Sequence, residues 1–586
     1  MPAFFRSPCF RAFFRSFCLP FLLLTVVSGF LSSWLYLLPG TAGFLPAAAG
    51  PVLPETGEEL SASSLLPLSL DFAEARLLVV RHYAGSWEET RLCEASITGM
   101  LHSLDPHSRL ISPTANDPVE TDMVYFGIGA WLVEYGGKVY FRSPMAGSPA
   151  ACSPLRYGDE IIAIDGQSIA GESLSQVVAR LRGPLGTAVT ISALRSGQAA
   201  PIQARIFRRR IVLPSVTNVF LLTPETGYLA IQNGFTETSA AEVERAVQQL
   251  KARGARYLVL DERDNPGGTI ASVRDVTGLF LRRGQKIATL QGRLFSDRDR
   301  ELTATTSQFE TMPLVVLINR NTASAGEILA GALQDHDRAL LVGEKTFGKG
   351  LVQTHYHLPE RYRLALTSAR YYTPSGRLIQ RPYTPMHYYA YHTSRFSRDQ
   401  FPGVLSSLRY FTDRKRVVFG GDGITPDVEI TGTGLPLETE TLSELVFCFS
   451  RQLLTGQVAG WEDYREVLEL APGLAPGYII SEDDFPVSSS LLSAFYQFVR
   501  PLLPDRRLTV NDLTRHEDFI RLHLRHEILT AVYGMETAEQ ILIRADPLVQ
   551  QALVQMPLAC QLVNGRCRPV SSPELRKSTR RAASPQ

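Results

Sequence analysis

Leu314-Val315-Val316-Leu317-Ile318, followed by Asn321-Thr322-Ala323-Ser324-Ala325-Gly326-Glu327, is the stretch that decides the fold of this chain. Five consecutive apolar residues predict a strand that is buried on both faces. The small residues after it lead into a helix, which we predict from Ser324 to Gln334. Ser324 would then lie at a helix N-terminus, where backbone N–H groups and the helix dipole favour negative charge. An ordinary N-cap serine explains the same pattern, so this stretch alone leaves the role of Ser324 open.

The segments on both sides of this stretch alternate between strand and helix patterns. A predicted amphipathic helix covers residues 238–253, and predicted strands cover 228–232, 257–261, 340–342 and 364–367. Strands that alternate with helices are typical of a layered α/β core.

A lysine flanked by glycines follows the predicted helix: Gly348-Lys349-Gly350, with Gln353 shortly after it. Glycines let the backbone approach other atoms closely. Burial would favour the neutral amine that a general base needs, and Gln353 is suited to orient that amine without adding a charge. A phosphate-binding loop is disfavoured because neither Ser nor Thr follows Lys349. A plain surface turn remains an alternative.

Paired glycines, Gly267 and Gly268, come shortly after the predicted strand at 257–261. Such a pair can present backbone N–H groups to an oxyanion. A structural turn explains the pair equally well when it is taken alone.

Together these segments resemble the C-terminal processing peptidases, also called tail-specific proteases, over roughly residues 72–431. Lys349 follows Ser324 by 25 positions and Gln353 lies four positions further, as in that family. Three flanking signatures agree: Leu104-Asp105-Pro106-His107-Ser108, Arg370-Tyr371-Tyr372-Thr373-Pro374-Ser375-Gly376-Arg377 and Gly423-Ile424-Thr425-Pro426-Asp427. The resemblance implies an α/β fold with a crotonase- and ClpP-like protease core.

The resemblance also implies roles for single residues. Ser324 would be the nucleophile, Lys349 the general base and Gln353 its orienting partner. The backbone N–H groups of Gly268 and Ala325 would form the oxyanion hole. The chain would be a serine-type endopeptidase with a Ser-Lys dyad and without a cofactor. The Cys and His residues show no metal-ligand spacing, so we expect no metal site.

Two features depart from the family pattern. Glu262 stands where the family usually has an apolar residue, and residues 382–420 look like an insertion. Neither departure touches the implied catalytic set, so they concern the geometry of loops.

Residues 124–208 resemble a PDZ domain. The backbone N–H groups of the loop Phe126-Gly127-Ile128-Gly129 would hold a terminal carboxylate, while the bound peptide adds a strand to the sheet edge. The neighbouring residues are apolar, so we expect protein or peptide substrates with apolar C-termini. Arg182 is a candidate contact between the PDZ domain and the protease core.

The N-terminus differs from the rest of the chain. A basic flank precedes an apolar run of 22 residues, 17–38, about the length of a membrane-spanning helix. The basic flank should stay cytoplasmic, which predicts an exported protein anchored at the extracytoplasmic, or periplasmic, side of the membrane. A cleaved signal peptide remains an alternative, because Ala47-Ala48-Ala49 is a suitable cleavage site. In an oxidising compartment Cys560 and Cys567 could pair.

The predicted domain order follows from these segments. The chain begins with a signal anchor or signal peptide (1–45), a linker (46–68) and a helical region (69–120). The PDZ domain (121–210) and the protease core (211–435) come next, and a mostly helical region (436–565) and a basic disordered tail (566–586) complete the chain.

Composition excludes some partners and leaves two other functions open. The chain has 59 Lys and Arg against 58 Asp and Glu, which gives no reason to expect a nucleic-acid partner. Whether the chain forms a homo-oligomer or binds an adaptor is left open. The first alternative function is a non-catalytic PDZ scaffold on a degenerate protease core. The second is a crotonase-type acyl-CoA enzyme, which ranks last because an exported chain has no evident access to CoA.

Overall fold

The computed structural model describes most of the chain after residue 61. The described residues are 62–112, 124–293, 301–359, 362–383, 391, 408–430, 438–470 and 477–564. The apolar run 17–38 and Cys567 lie outside them, so the membrane-spanning segment and the Cys560–Cys567 pair stay predictions. Within the described residues, no helix combines the length and apolarity that crossing a bilayer requires.

The chain divides into two compact units, residues 1–88 and 89–586. The first unit contains helix α1 (Ala62–His82). The second begins with α2 (Glu89–His102) and β1 (Arg109–Ile111). Strand β1 lies within the region 69–120 that was predicted to be helical. It forms a strand because it pairs antiparallel with β18 (Arg363–Tyr372).

The PDZ domain is a small antiparallel sheet with one helix. Its strand order is β3 (Ala130–Tyr135), β4 (Lys138–Pro144), β5 (Glu160–Ile164), β7 (Ala188–Leu194) and β8 (Ile202–Phe207), with β6 (Gln167–Ser168) on β5. Helix α3 (Leu174–Leu181) packs on this sheet through its buried residues Val177 and Leu181. A separate ribbon of β2 (Val124–Gly127) and β9 (Arg209–Val212) closes the domain.

The protease core is built on a second sheet, which is mostly parallel. Its order is β10 (Val216–Thr223), β11 (Thr226–Ile231), β12 (Tyr257–Asp261), β15 (Leu314–Ile318), β16 (Leu340–Gly343) and β21 (Val428–Glu429). Only the β10–β11 pair is antiparallel among these described neighbours.

Both faces of this sheet are covered, which explains the continuous apolar run of β15. Val316 and Ile318 pack into a cluster with α4 (Ser239–Ala252), α5 (Ile270–Phe280) and α6 (Ala325–Asp335). Val315 and Leu317 point to the opposite face, where they pack on α13 (Pro547–Asn564).

A third sheet lies beside the core and carries the lysine segment. Its order is β1, β18, β13 (Lys286–Gln291) and β14 (Glu301–Thr303), and β17 (Leu351–His357) also pairs with β18. A short ribbon joins β19 (Arg409–Phe411) to β20 (Val417–Phe419).

The C-terminal region is helical. It contains α7 (Glu438–Leu453), α8 (Tyr464–Leu470), α9 (Ser489–Val499), α10 (Val510–Arg515), α11 (Glu517–Tyr533), α12 (Met535–Ala545) and α13. Its core consists of apolar residues of α7, α9 and α11, such as Leu445, Phe495 and Leu524.

The PDZ domain packs against α7 and α11. Arg142 of β4 forms an ion pair with Glu527 of α11, with 2.6 Å between Nη2 and Oε1. Tyr157 donates its hydroxyl proton to the other oxygen of Glu527 over 2.7 Å. Phe447 of α7 lies against the rings of Tyr140 and Tyr157. A buried ionic contact therefore joins the PDZ domain to the helical region.

Candidate active site

Ser324 lies at the junction between β15 and α6, in an uncommon backbone conformation. Its φ is 54° and its ψ is −115°, a combination that residues other than glycine rarely adopt. Such strain persists only where the surrounding structure enforces it, and it occurs most often at functional sites. The helix that follows Ser324 is fully buried, so its N-terminus is held firmly.

Lys349 lies in the loop before β17 and is buried, with 7 % of its surface exposed. Its Nζ lies 3.2 Å from Oε1 of Gln353. The flanking glycines are needed sterically. Gly348 has a φ of +87°, and a Cβ on Gly350 would lie 2.8 Å from the backbone nitrogen of Gln380.

A buried carboxylate that the sequence analysis missed joins the serine and lysine segments. Oε2 of Glu327 accepts hydrogen bonds from the backbone N–H groups of Ser324 (3.0 Å) and Lys349 (2.8 Å). Oε1 accepts from the N–H of Gly348 (2.7 Å) and the hydroxyl of Thr346 (2.5 Å). The signal was present in the sequence, because Ser-x-x-Glu at a helix start is a capping-box pattern.

Tyr371 of β18 forms a second link between the two segments. Its hydroxyl lies 3.0 Å from the carbonyl oxygen of Ser324 and 2.8 Å from that of Lys349. Two side chains thus hold the backbone of the predicted nucleophile next to that of the predicted base.

The ionisation of Glu327 should make the stability of the fold depend on pH. Complete burial raises the pKa of Glu327 to about 7, although its four hydrogen bonds oppose the shift. A raised carboxyl pKa means that the folded state binds the proton more tightly. This contribution is therefore full in acid and is lost as the pH rises towards 7. We expect about 3 kcal/mol of unfolding free energy to disappear in this way.

Urea unfolding of the wild type and Glu327→Gln between pH 4.5 and pH 8 measures this contribution. The difference in unfolding free energy between them should shrink by roughly the stated 3 kcal/mol as the pH rises. The control is Glu237→Gln, which alters an exposed carboxyl. Parallel curves for the wild type and Glu327→Gln would contradict the expectation.

The predicted oxyanion loop lies directly against Ser324. A Cβ on Gly267 would approach the Cβ of Ser324 to 2.8 Å, and one on Gly268 would lie 2.2 Å from the carbonyl oxygen of Phe235. Only glycine fits at these positions. Within the described residues, the hydrogen bonds of this region use neither the N–H of Gly268 nor that of Ala325. Donors without an intramolecular acceptor are what the predicted oxyanion hole requires.

Glu262, the departure from the family pattern, lies buried beneath this loop. Its Oε2 accepts a hydrogen bond from the amide nitrogen of Asn265 (2.6 Å), and Oδ1 of Asn265 accepts from the N–H of Gly267 (2.9 Å). Burial raises the pKa of Glu262 well above its ordinary value. Glu262 thus supports the loop through Asn265.

Gln353 lies at an irregularity of the β17–β18 pairing. Val352 pairs with Ala369 but Gln353 pairs with Thr367, so Ser368 is an additional residue in β18. Such a bulge changes the direction of neighbouring side chains. The Gln353 carboxamide oxygen faces Lys349, and its nitrogen donates to the carbonyl oxygen of His107.

The predicted carboxylate loop of the PDZ domain precedes the edge strand β3. Phe126 is exposed, whereas Gly127, Ile128 and Gly129 are buried. Gly129 has a φ of +71°, and a Cβ there would lie 2.4 Å from that of Ser148. Among the described residues β3 pairs with β4 alone, so it is an edge strand of this sheet.

Arg182 lies beside this loop, at the end of α3. Its guanidinium carbon lies 4.7 Å from the centre of the Tyr125 ring, within the PDZ domain. The predicted contact between Arg182 and the protease core stays a prediction.

Comparison with known proteins identifies two regions of the chain. Residues 225–388 match the model of peptidase family S41, and residues 140–195 match that of the PDZ domain. The chain is 37 % identical to a carboxy-terminal-processing protease of Bartonella bacilliformis over 299 residues, which cover 50 % of this chain and 68 % of the relative. It is also 37 % identical to a carboxyl-terminal-processing protease of Synechocystis over 294 residues, 49 % of this chain and 68 % of the relative.

Among solved structures, the photosystem II D1 C-terminal processing protease is 26 % identical. The match covers 63 % of this chain and 89 % of that one, with a TM-score of 0.32. The predicted α/β fold class with a PDZ domain is confirmed by the two family models. The chain belongs to the carboxy-terminal-processing proteases of peptidase family S41, and it is a protease with a PDZ domain.

Proposed function

We propose that the chain is a serine endopeptidase that uses Ser324 and Lys349. The neutral amine of Lys349 takes the proton of the Ser324 hydroxyl, and the oxygen attacks the carbonyl carbon of the scissile peptide bond. The N–H groups of Gly268 and Ala325 stabilise the oxyanion. The ammonium then gives its proton to the leaving amine, and water releases the acyl group from the serine.

The observation that supports this proposal is the position of Glu327. One buried carboxylate accepts hydrogen bonds from the backbone of both Ser324 and Lys349, although these residues lie on different elements. Lys349 itself is buried, with only 7 % of its surface exposed. Gln353 supplies a neutral hydrogen-bond partner for the amine.

The proposal includes capture of substrate tails by the PDZ domain. A peptide would add a strand to the open edge of β3, with its terminal carboxylate at the loop 126–129. Ile128 of this loop packs in one apolar cluster with Val177 and Leu181 of α3, and these apolar surroundings favour apolar C-terminal residues. Binding of the tail raises the local concentration of substrate at the protease core.

A serine-reactive fluorophosphonate probe tests the proposed nucleophile. The probe should label the full chain at Ser324, as mapped by mass spectrometry, because only an activated hydroxyl reacts rapidly. Ser324→Ala should abolish labelling. The matched control is Ser488→Ala, which removes the N-cap serine of α9 and should leave labelling unchanged. Labelling of another residue, or none in a folded wild type, would refute the proposal.

A further inference from the structure

We propose that His107 and Tyr391 are positioning residues of the protease. Together with Gln380 they close a ring of hydrogen bonds around Lys349, which holds the carboxamide of Gln353 in the orientation that the amine needs. This inference rests on the proposed Ser-Lys chemistry and adds to it two residues that touch neither the substrate nor the reacting atoms.

The first half of the ring leads from Lys349 to His107. Gln353 accepts from the amine through Oε1 and donates through Nε2 to the carbonyl oxygen of His107. That carbonyl belongs to a rigid turn, because the carboxylate of Asp105 accepts from the N–H groups of His107 (2.8 Å) and Ser108 (2.9 Å). Asp105 is buried, so the turn has a fixed position.

The same turn is fastened to the strand that pairs with Gln353. The hydroxyl of Thr367 in β18 donates to Asp105 over 3.0 Å, and the N–H of Thr367 donates to the hydroxyl of Ser108 over 3.1 Å. Thr367 is the pairing partner of Gln353. Strand β18 therefore holds both the backbone of Gln353 and the turn whose carbonyl group the Gln353 side chain contacts.

The second half of the ring returns from His107 to the lysine loop. Nε2 of His107 lies 2.9 Å from the hydroxyl of Tyr391, which accepts a hydrogen bond from Nε2 of Gln380 over 2.9 Å. Oε1 of Gln380 accepts from the N–H of Gly350, the residue after Lys349, over 2.8 Å. Tyr391 is 1 % exposed, so these bonds are shielded from water.

Contacts with aromatic rings and with a guanidinium hold Tyr391 in this place. The central guanidinium carbon of Arg381 lies 3.8 Å from the centre of the Phe347 ring and 4.0 Å from that of the Tyr391 ring, and the two rings meet edge to face. The N–H of Arg381 donates to the carbonyl oxygen of Gly348 over 2.9 Å. Phe347 and Gly348 directly precede Lys349, so Tyr391 is packed against the loop that carries the proposed base.

The ring matters because a carboxamide has two different ends. The amine of Lys349 must keep a lone pair for the serine proton, and it donates a proton to the oxygen of Gln353. If the carboxamide turned over, its NH2 group would face the amine and would compete with the serine proton for this lone pair. The carbonyl of His107 accepts only from the NH2 end and so selects the useful orientation. The hydroxyl of Tyr391 fixes the imidazole of His107.

Tyr391 also gives a function to part of the apparent insertion. It belongs to residues 382–420, which the sequence analysis set apart from the family pattern. In the structure its side chain contacts the loop of Lys349 and the turn of His107. The insertion thus contributes a residue to the support of the active site.

Tyr391→Phe tests the inference, because it keeps the aromatic ring and removes the hydroxyl group. With a quenched fluorescent peptide that ends in apolar residues, kcat should fall about tenfold while KM changes less than twofold. The rate of fluorophosphonate labelling of Ser324 should fall in parallel. The matched control is Tyr383→Phe, whose hydroxyl interacts with Arg370 and whose ring also contacts Tyr391. It should keep wild-type kcat and labelling.

A double-mutant cycle separates positioning from a general loss of stability. His107→Phe should lower kcat like Tyr391→Phe, and the double variant should be no slower than either single one, because one hydrogen bond is lost in each case. Urea unfolding of each variant establishes that the chain is folded under assay conditions. Multiplied losses in the double variant, or equal kcat for Tyr391→Phe and Tyr383→Phe, would overturn the inference.

Ser324→Ala in the same assay reports on the proposed chemistry itself, because its full activity would refute that proposal and not only the ring.

Discussion

Lys349→Met should reduce peptide hydrolysis by at least about 10³-fold while the peptide still binds. Methionine has nearly the length of lysine and fills the same buried space, but it cannot accept the proton of Ser324. The proposed mechanism has no other group in this place, because Glu327 is engaged by four donors. We expect kcat to fall and the dissociation constant of the peptide to stay within about twofold.

The measurement uses one fluorescent peptide with a free apolar C-terminus and the same peptide amidated at that end. Fluorescence anisotropy should show equal binding of the free peptide to the wild type, Lys349→Met and Ser324→Ala. The amidated peptide should bind at least about tenfold more weakly to all three, because the PDZ loop loses its carboxylate.

Lys345→Met is the matched control for the loss of hydrolysis. Lys345 lies four residues upstream in the same loop, and its ammonium pairs with Asp422 over 2.8 Å, partly in contact with solvent. This variant should keep most of the wild-type activity. Hydrolysis by Lys349→Met at the rate of Lys345→Met would exclude Lys349 as the general base.

Glu527→Ala should destabilise the chain by about 3 kcal/mol and loosen the PDZ domain from the helical region. Glu527 is buried and neutralises Arg142, whose side chain is only 19 % exposed. Removal of the carboxylate leaves a guanidinium in a poorly solvated place. It also leaves the hydroxyl of Tyr157 without its acceptor. Burial raises the pKa of Glu527, because this environment disfavours charge.

Hydrogen exchange and urea unfolding together test the role of Glu527. Exchange should increase in β4 and α11, the two elements that the ion pair joins. Glu517→Ala is the control on the same helix, because Glu517 forms an exposed pair with Arg521 and should contribute less than about 1 kcal/mol. The double variant Arg142→Met and Glu527→Leu should recover much of the stability, since an apolar pair can replace a buried ionic one. A loss for Glu527→Ala no larger than that for Glu517→Ala would contradict this account.

Local sequence patterns predict the central elements of the protease core well. The helix predicted from Ser324 to Gln334 is observed as Ala325–Asp335, and the predicted strand 257–261 is observed as Tyr257–Asp261. These elements are buried on both faces or amphipathic, so their apolar spacing reflects the positions that they occupy. The family resemblance, which rests on ordered motifs, is confirmed.

Contacts between distant segments could not be predicted in the same way. The local sequence pattern predicts Glu327 only as a capping residue of α6. Its other hydrogen-bond partners lie in the loop 346–349, which no local pattern connects to Glu327. Tyr391 lies 284 residues from His107, and Glu527 lies 385 residues from Arg142. A buried polar group must form its hydrogen bonds with other protein groups, because water is excluded. These groups often belong to segments that are distant in sequence.

The strand β3 has a second consequence, which concerns solubility. A strand with an unoccupied edge is a template for any extended chain, including the same strand of another molecule. The side chain of Glu134 on this strand accepts a hydrogen bond from the N–H of Leu174, which places a charge beside the edge. Two copies that met edge to edge would bring like charges together. The tail that we propose for this edge would meet one such charge, whereas self-pairing would bring two together.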